Sequence, residues 1–362
     1  MLYWLLAPLR DEFFFFNLVR YITVRTAAAG ITALVLSFLL GPWLIRLLER
    51  RQIGQEIRAD GPKAHIAKKG TPSMGGLLII VCTLVPTFLW GNLANIYVWV
   101  AVLSMVLFGL VGLIDDVIKV RRKQSLGLRP GQKIIMQLVL SAAVGLIFIW
   151  MGSRGQFSLS LSFPFLKQWI PYLGWLYLPW IMFILVGSTN AVNLADGLDG
   201  LAIGLTLISA TALTALTYVA GHALWSQYLN IARVPLAAEL TVFVGAFAGA
   251  CLGFLWFNCH PAQVFMGDVG ALSLGGTMAV IALLIKQEFL LFTVAGVFIL
   301  EALSVLLQVS YFKLSKGKRI FKMAPLHHHF ELSGWPESRV VIRFWILGII
   351  FALFSLSTLK LR

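Results

Sequence analysis

The sequence predicts an all-α integral membrane protein with ten transmembrane helices and a short extracytoplasmic β-hairpin. Of its 362 residues, 59% are hydrophobic and only 12% are charged, whereas soluble domains carry about twice that share of charge. The mean hydropathy is +0.87. Apolar stretches approaching the roughly 20 residues needed to cross a bilayer occupy most of the chain. Since they are too long for barrel strands, each is expected to be an α-helix.

Ten apolar stretches define the predicted spans. They are residues 24–48, 73–90, 96–114, 132–151, 173–190, 200–220, 239–257, 269–286, 289–312 and 339–358. Between the fourth and fifth spans, apolar residues alternate with polar ones over residues 157–163, and this period of two predicts the hairpin. No internal repeat or low-complexity linker interrupts the chain, so residues 1–362 are treated as a single domain.

The three cysteines are odd in number and lie in or beside apolar spans, without Cys-x-x-Cys spacing. They are Cys82, Cys251 and Cys259. This pattern predicts buried free thiols and disfavours a metal or redox role.

The distribution of basic residues predicts the orientation in the membrane. Ten spans place both termini on one side and the loops after the odd-numbered spans on the other. Nineteen of the 29 Lys and Arg residues lie around the loops after spans 1, 3 and 9. These loops are therefore expected to be cytoplasmic and both termini extracytoplasmic. The net charge of +14 then reflects topology and anionic ligands, with no nucleic-acid partner.

All the unusual polar clusters fall in five predicted cytoplasmic loops. The loops are residues 49–72, 115–131, 190–200, 258–268 and 313–338. Because these clusters share one face of the membrane, they predict an active site at that face.

The first cluster is the pair Asp115-Asp116 at the end of the third span. Carboxylates at a membrane boundary cost free energy unless they are solvated or paired, so they often mark function. Neighbouring helix positions differ by about 100° in direction, so one carboxylate is expected to approach a metal or phosphate while the other acts as base or support. The alternative is a helix-end pair balanced by Lys119 and the basic residues after it.

The second cluster places amides and acids at every third position, without a basic residue. Its members are Asn190, Asn193, Asp196 and Asp199. Such a loop suits a polar ligand or a hydrated Mg²⁺. The alternative is a helix junction in which Asp196 or Asp199 caps the sixth span.

The third cluster runs from Asn258 to Gly270 and includes Phe265 and Asp268. Asp268 begins the eighth span, where it could be a helix cap or part of a diphosphate site at a helix N-terminus. Phe265 is predicted to stack on a base, with an interfacial anchor as the alternative.

Two further loops carry histidines or lysines. His327, His328 and His329 are consecutive and cannot all face one metal, so they are expected to bond phosphate or sugar oxygens. Lys68 and Ser73 lie in a glycine-rich entry to the second span. The lysine could neutralise phosphate or simply flank the membrane as a positive-inside residue.

Two polar residues interrupt the apolar ninth span. Glu301 and Gln308 are seven residues apart and so share a helix face. An intramembrane acid is expected to face the bundle or a wet cavity, and this face is predicted to line a groove for a polyprenyl chain.

Taken in order, these motifs resemble the polyprenyl-phosphate N-acetylhexosamine-1-phosphate transferase superfamily. The ordered set is Lys-Lys-Gly-Thr-Pro-Ser-Met-Gly-Gly, Asp-Asp, Asn-Ala-Val-Asn-Leu-Ala-Asp-Gly-Leu-Asp-Gly, Phe-Met-Gly-Asp-Val-Gly and Pro-Leu-His-His-His-Phe-Glu. The resemblance covers essentially the whole chain. One departure is Ser73, where the family often has threonine, and the hydroxyl is kept.

The resemblance implies transfer of phospho-MurNAc-pentapeptide from UDP-MurNAc-pentapeptide to undecaprenyl phosphate, with Mg²⁺ as cofactor and UMP as product. It also implies the bacterial inner membrane, contact with membrane lipids and an active site on the cytoplasmic face, and it allows a homodimer. A sister transferase that uses UDP-GlcNAc is the close alternative. A secondary transporter is disfavoured because the clusters lie at one face and show no repeat.

The resemblance also implies roles for individual residues. Asp268 would bind Mg²⁺, and Asp115 and Asp116 would serve the carrier phosphate and the metal. Substrate-binding residues would be Lys68, Ser73, Lys133, Asn190, Asn193, Asp196, Asp199, Asn258, Phe265, Gln308, His327, His328 and His329. The lipid phosphate is expected to attack directly, with a route through a phosphorylated aspartate as the alternative.

Overall fold

The computed structural model describes residues 14–51, 70–122, 124, 127–164, 166 and 168–360. Lys68 and nearly all of the loop 49–72 lie outside the described residues, so the expectation for Lys68 concerns a part of the chain that the structure does not describe.

Helices account for most of the described chain. They are α1 (Ile22–Arg50), α2 (Gly76–Trp90), α3 (Ile96–Arg122), α4 (Pro130–Ser153), α5 (Tyr177–Ala195), α6 (Leu201–Gly221), α7 (Ala223–Tyr228), α8 (Ala237–Asn258), α9 (Gly267–Leu284), α10 (Glu288–Val294), α11 (Gly296–Leu314), α12 (Leu326–Glu331) and α13 (Glu337–Thr358). Short 3-10 helices precede α1 and α5, at Phe14–Arg20 and Gly174–Leu176.

The helices confirm a multi-pass membrane protein, but not the full count of ten spans. Nine helices among the described residues are long and apolar enough to cross a membrane, and α2 has only 15 residues. The predicted span 289–312 is divided, because α10 ends at Val294 and α11 starts at Gly296. Hydropathy is high on both sides of this break and so does not reveal it.

The predicted extracytoplasmic β-hairpin is not confirmed. The segment before α5 forms one isolated antiparallel bridge, between Ser160 and Tyr172, and no strand within the described ranges. Leu161 donates a backbone hydrogen bond to Pro171 over 3.0 Å. Leu173 donates a second backbone bond to Leu159 over 3.0 Å, so the pairing is limited to this short stretch, and Phe157 before it is buried against the bundle.

The helix α9 occupies the centre of the bundle. Every residue from Val269 to Leu284 is buried, and α2, α3, α5 and α6 pack around it. A Cβ atom at Gly112 of α3 would overlap the carbonyl oxygen of Asp268, so only glycine allows the two backbones to approach this closely. That contact brings the C-terminal end of α3 beside the N-terminal end of α9.

The cysteine prediction needs one correction. Cys82 and Cys251 are free and buried as expected, whereas Cys259 is free and exposed. Cys259 follows the last residue of α8, so it lies just beyond the apolar helix that suggested its burial.

Candidate active site

Three carboxylates from two separate segments form one cluster. Asp115 and Asp116 lie near the end of α3, and Asp268 is the second residue of α9. One oxygen of each lies within 4.8 Å of an oxygen of the others. The structure therefore brings together the three acids that sequence analysis assigned to catalysis and metal binding.

The two adjacent aspartates take different backbone partners. Asp115 Oδ1 accepts a hydrogen bond from the N–H of Leu128 over 2.8 Å, and Asp116 Oδ2 accepts one from the N–H of Val269 over 3.1 Å. Gly267 has a φ of +71°, and a Cβ there would lie 2.6 Å from Asp116 Oδ2. A residue with a side chain at this position would be strained and would crowd the cluster.

Two lysines neutralise part of this negative charge. Lys119 Nζ lies 2.7 Å from Asp115 Oδ2, 2.8 Å from Asp268 Oδ2 and 3.4 Å from Asp116 Oδ1. Lys133 Nζ lies 2.7 Å from Asp268 Oδ2. Sequence analysis gave Lys119 no role beyond charge balance, although its spacing of three and four residues from the aspartates indicated contact.

The helix α5 contributes the asparagines. Asn193 Nδ2 donates a hydrogen bond to Asp268 Oδ1 over 2.6 Å, and Asn193 Oδ1 lies 3.5 Å from Lys133 Nζ. One turn earlier, Asn190 Nδ2 donates to Gln137 Oε1 over 2.8 Å. Asn193 thus belongs to the carboxylate cluster, whereas Asn190 links α5 to α4.

Asp196 follows the last residue of α5. Burial, together with the neighbouring carboxylates of Asp268 and Asp116, raises the pKa of Asp196 to about 8. A raised pKa favours the protonated carboxyl group, which can donate a hydrogen bond as well as accept one.

Asp199 lies in a second polar group, which sequence analysis missed in part. Asp199 Oδ2 is 3.2 Å from His260 Nδ1 and accepts a hydrogen bond from the N–H of Ala262 over 3.1 Å. The N–H of Asp199 donates to Glu337 Oε1 over 2.9 Å. His260 and Glu337 are far apart in sequence, and no local pattern marks them as neighbours.

Asn258 is buried, and its side chain is used within the protein. Its Oδ1 accepts from the N–H of Gly200 over 3.1 Å, and its Nδ2 donates to the carbonyl of Val264 over 2.8 Å. These bonds join the end of α8 to the start of α6.

Phe265 and Ser73 lie next to each other across two loops. The N–H of Phe265 donates to the carbonyl of Pro72 over 2.8 Å, and the carbonyl of Phe265 accepts from the N–H of Gly75 over 2.9 Å. A Cβ on Gly267 would lie 3.0 Å from Ser73 Oγ. The Ser73 hydroxyl therefore lies beside Gly267 at the border of the carboxylate cluster, and the half-buried Phe265 is held by backbone bonds to the same loop as Ser73.

The three consecutive histidines have three different environments. His327 is fully buried. His328 Nδ1 is 2.8 Å from a carboxylate oxygen of Glu331. His329 Nδ1 accepts a hydrogen bond from the N–H of Lys322 over 3.1 Å. Only His328 and His329 are partly exposed at the surface of the loop.

Gln308 ties α11 to the histidine loop. Its Oε1 accepts from the N–H groups of Ile320 and Phe321 over 3.1 and 3.0 Å, and its Nε2 donates to the carbonyl of Phe321 over 3.2 Å. Glu301, on the same helix, is fully buried. The polar face of α11 therefore contacts protein at both positions.

Comparison with known proteins agrees with this geometry. Residues 98–286 match the family model "Glycosyl transferase family 4", and residues 68–80 match "Phospho-N-acetylmuramoyl-pentapeptide-transferase signature 1". Proteins named phospho-N-acetylmuramoyl-pentapeptide-transferase from Thermodesulfovibrio yellowstonii, Koribacter versatilis and Desulforapulum autotrophicum are each 51% identical to this chain, over 100% of both chains. The chain belongs to this transferase family.

Membership in the phospho-N-acetylmuramoyl-pentapeptide transferase family confirms the resemblance found in the sequence motifs. The family 4 match contains Asp115, Asp116 and Asp268, and the transferase signature contains Ser73. The chain is thus a membrane transferase whose most acidic cluster lies within the matched region.

The carboxylate cluster has a donor set suited to a metal ion. Asp115, Asp116 and Asp268 offer only hard oxygen ligands, which divalent cations such as Mg²⁺ prefer. Three carboxylates also exceed the two ammonium groups beside them, so a further cation would balance the charge.

Proposed function

We propose that the protein transfers phospho-MurNAc-pentapeptide from UDP-MurNAc-pentapeptide to undecaprenyl phosphate, giving undecaprenyl-diphospho-MurNAc-pentapeptide (lipid I) and UMP. The observation that carries this proposal is the cluster of three carboxylates and two lysines at the ends of apolar helices. A water-soluble diphosphate donor and a lipid phosphate acceptor can meet only at such a boundary. The full-length relatives named for this activity support the same reaction.

In the proposed step, an oxygen of the lipid phosphate attacks the phosphorus attached to the sugar. A new phosphorus–oxygen bond forms, the bond from that phosphorus to the UMP oxygen breaks, and UMP leaves with the electron pair. Such a step needs charge neutralisation and in-line positioning rather than a protein nucleophile. Lys119 and Lys133 lie at the centre of the cluster and supply positive charge for the phosphates.

The aspartates have two proposed roles, metal binding and positioning of the carrier phosphate. Asp115, Asp116 and Asp268 would hold Mg²⁺, which when bound neutralises charge on the diphosphate. Asp115 is anchored through Oδ1 to the backbone of Leu128, while its Oδ2 faces Lys119. We assign Asp115 to orient the carrier phosphate and to accept its proton when that phosphate arrives as the monoanion.

The donor would lie across the loops that border the cluster. Phe265 would stack on uracil, and Asn193 and Asp196 would bind the diphosphate portion. His328 and Lys322 belong to the histidine loop and would contact the sugar and the carboxylates of the pentapeptide, since charge-assisted hydrogen bonds bind such groups strongly.

The decisive assay uses purified protein with undecaprenyl phosphate and either UDP-MurNAc-pentapeptide or UDP-GlcNAc, with Mg²⁺ or with EDTA. We expect lipid product and UMP from the muramoyl donor, little product from UDP-GlcNAc and none with EDTA. Preference for UDP-GlcNAc would assign the sister reaction instead. Uptake of the nucleotide into sealed vesicles without release of UMP would indicate transport.

We also propose that the site faces the cytoplasm of the bacterial inner membrane, with both termini extracytoplasmic. The excess of Lys and Arg in the loops around the site supports this orientation. Cys259 provides a test, because it is exposed near the site while Cys82 and Cys251 are buried. A membrane-impermeant maleimide should label inverted vesicles but not spheroplasts, and Cys259→Ser should remove the label. Labelling of spheroplasts would reverse the orientation.

A further inference from the structure

A carboxylate and an imidazole lie together inside the protein, away from the acidic cluster. Glu301 of α11 and His327 of α12 are both fully buried. Glu301 Oε1 accepts a hydrogen bond from the backbone N–H of His327 over 3.2 Å and lies 3.3 Å from His327 Nδ1. One carboxylate oxygen thus bonds the backbone N–H of His327 and lies beside its ring Nδ1.

The imidazole of His327 also packs on the loop that follows α5. A Cβ atom at Gly197 would overlap His327 Nε2, so the ring lies directly against the Gly197 backbone. Gly197 is bonded to Asp196, and Asn193, on the same segment, donates a hydrogen bond to Asp268. A continuous path of contacts therefore leads from Glu301 through His327 to the loop at the acidic cluster.

Three polar atoms of this pair have no hydrogen-bond partner among the described residues. They are Glu301 Oε2, His327 Nδ1 and His327 Nε2. Buried polar atoms are nearly always bonded, and exceptions are concentrated where function requires them. The two ring nitrogens have different neighbours, since Nδ1 lies beside the Glu301 carboxylate and Nε2 lies against the Gly197 backbone.

We propose that Glu301 is a positioning residue for the transferase reaction. Its carboxylate bonds the backbone N–H of His327 and lies 3.3 Å from the ring, and the ring, packed against Gly197, keeps that loop at the distance from Asp268 that the reaction needs. Glu301 itself contacts neither the acidic cluster nor the donor, and this inference rests on the proposed function. It replaces the expectation that Glu301 lines a groove for the polyprenyl chain, because the side chain is enclosed by protein.

The proposal predicts an effect on turnover rather than on lipid affinity. Glu301→Leu keeps a similar size but removes both acceptor oxygens, so kcat should fall at least about tenfold, while the KM for undecaprenyl phosphate changes less than about twofold. Glu301→Gln retains one acceptor oxygen and should recover most of the lost kcat. A rise in the lipid KM with unchanged kcat would overturn the proposal in favour of the groove.

A double-mutant cycle tests whether the effect passes through His327. Glu301→Leu, His327→Gln and the double variant are compared in kcat, after thermal unfolding shows that each is folded. If the two residues act together, the kcat of the double variant should lie within about twofold of the kcat of the slower single variant. Multiplication of the two single effects would show independent action and overturn the proposal.

A matched control lies one turn away on the same helix. Ser304 is also buried, and among the residues that the structure describes its hydroxyl bonds only to the carbonyl of Glu301 within α11. Ser304→Ala should leave kcat within about twofold and show no coupling to His327. If Glu301→Leu fails to fold, His327→Gln carries the test: its kcat should fall at least about tenfold, and wild-type kcat in folded His327→Gln would overturn the proposal. Absence of product from the wild type would instead contradict the proposed function.

Discussion

The helix α9 connects two buried charged clusters that differ in composition and access. At its N-terminal end, Asp268 joins two other carboxylates and two lysines, whose side chains are 30% and 16% exposed. Beyond its C-terminal end, Lys286 Nζ lies 3.0 Å from Glu288 Oε1 and 2.6 Å from Tyr177 Oη. There one cation meets one anion, and both side chains are at most 5% exposed.

This difference is what the proposed function predicts for a ligand-binding site compared with a structural contact. The second cluster is closed, because Tyr177 also bonds Glu288 and the Lys286 ammonium lies over the Tyr177 and Phe157 rings. The first cluster has more carboxylates than ammonium groups, and its lysines reach solvent. An open cluster with unbalanced charge can exchange its cations for a metal or for phosphate, whereas a closed neutral cluster cannot.

Asp268→Asn should have the largest effect on the open cluster. This change removes the carboxylate that both lysines share, so kcat should fall at least about a hundredfold, or about 2.7 kcal/mol in the barrier. The thermal midpoint should change little, because the amide still bonds Asn193. Turnover by the purified variant is the measurement, and retention of more than about a tenth of the activity would argue against metal coordination by Asp268.

Lys286→Met should lower the stability of the protein and leave its turnover nearly unchanged. Removing the ammonium leaves Glu288 buried without its cation. The loss in the free energy of unfolding is several kcal/mol when Glu288 stays ionised and about 2 kcal/mol when it takes up a proton. Thermal unfolding in detergent should show the loss, while kcat of the folded protein stays within about twofold. A large loss of kcat with an unchanged midpoint would show that the closed cluster also serves catalysis.

Lys119→Gln tests the exchange of cations within the open cluster. The amide keeps the length of the side chain approximately but not its charge, so activity should fall about tenfold, or about 1.4 kcal/mol. Because the lysine no longer competes for the three carboxylates, a lower Mg²⁺ concentration should give half-maximal activity. A higher Mg²⁺ requirement would show that Lys119 supports the metal instead of competing with it.

The smallest expected effect concerns the border of the open cluster. Phe265→Leu removes the aromatic face but keeps an apolar side chain, and base stacking contributes about 1–3 kcal/mol. We expect the KM for the nucleotide donor to rise about fivefold, with the KM for the lipid phosphate unchanged, in steady-state assays that vary each substrate. Phe265→Trp is the matched control and should retain affinity. Equal KM values for Phe265→Leu and the wild type would exclude stacking.

The two clusters also show how far sequence reasoning reaches. Runs of apolar residues depend on local composition, so the spans were predictable, as was the concentration of acids and amides in the loops between them. The break before Gly296 and the single bridge at Ser160 were not predictable, because hydropathy and alternation do not distinguish a continuous helix or a paired strand from segments packed against other helices.

Contacts between segments that are distant in sequence could not be predicted from local patterns. The contact of Lys119 with the aspartates follows from helical spacing, but its approach to Asp268 depends on the packing of α3 against α9. The same holds for His260 beside Asp199. Glu301 was predicted to face the bundle or a wet cavity and to line a groove for the polyprenyl chain, and its partner His327 became visible once α11 and α12 were placed together.

The burial of α9 also bears on how the protein is made. This helix has an apolar segment able to enter a bilayer, yet every residue from Val269 to Leu284 ends in contact with other helices rather than lipid. Insertion and packing are separable stages for membrane helices, so α9 must exchange all of its lipid neighbours for protein after it has been inserted. The helices that pack around it, α2, α3, α5 and α6, all precede it in the chain, which allows Asp268 to be brought into register with Asp115 and Asp116 before α11 and α13 leave the ribosome.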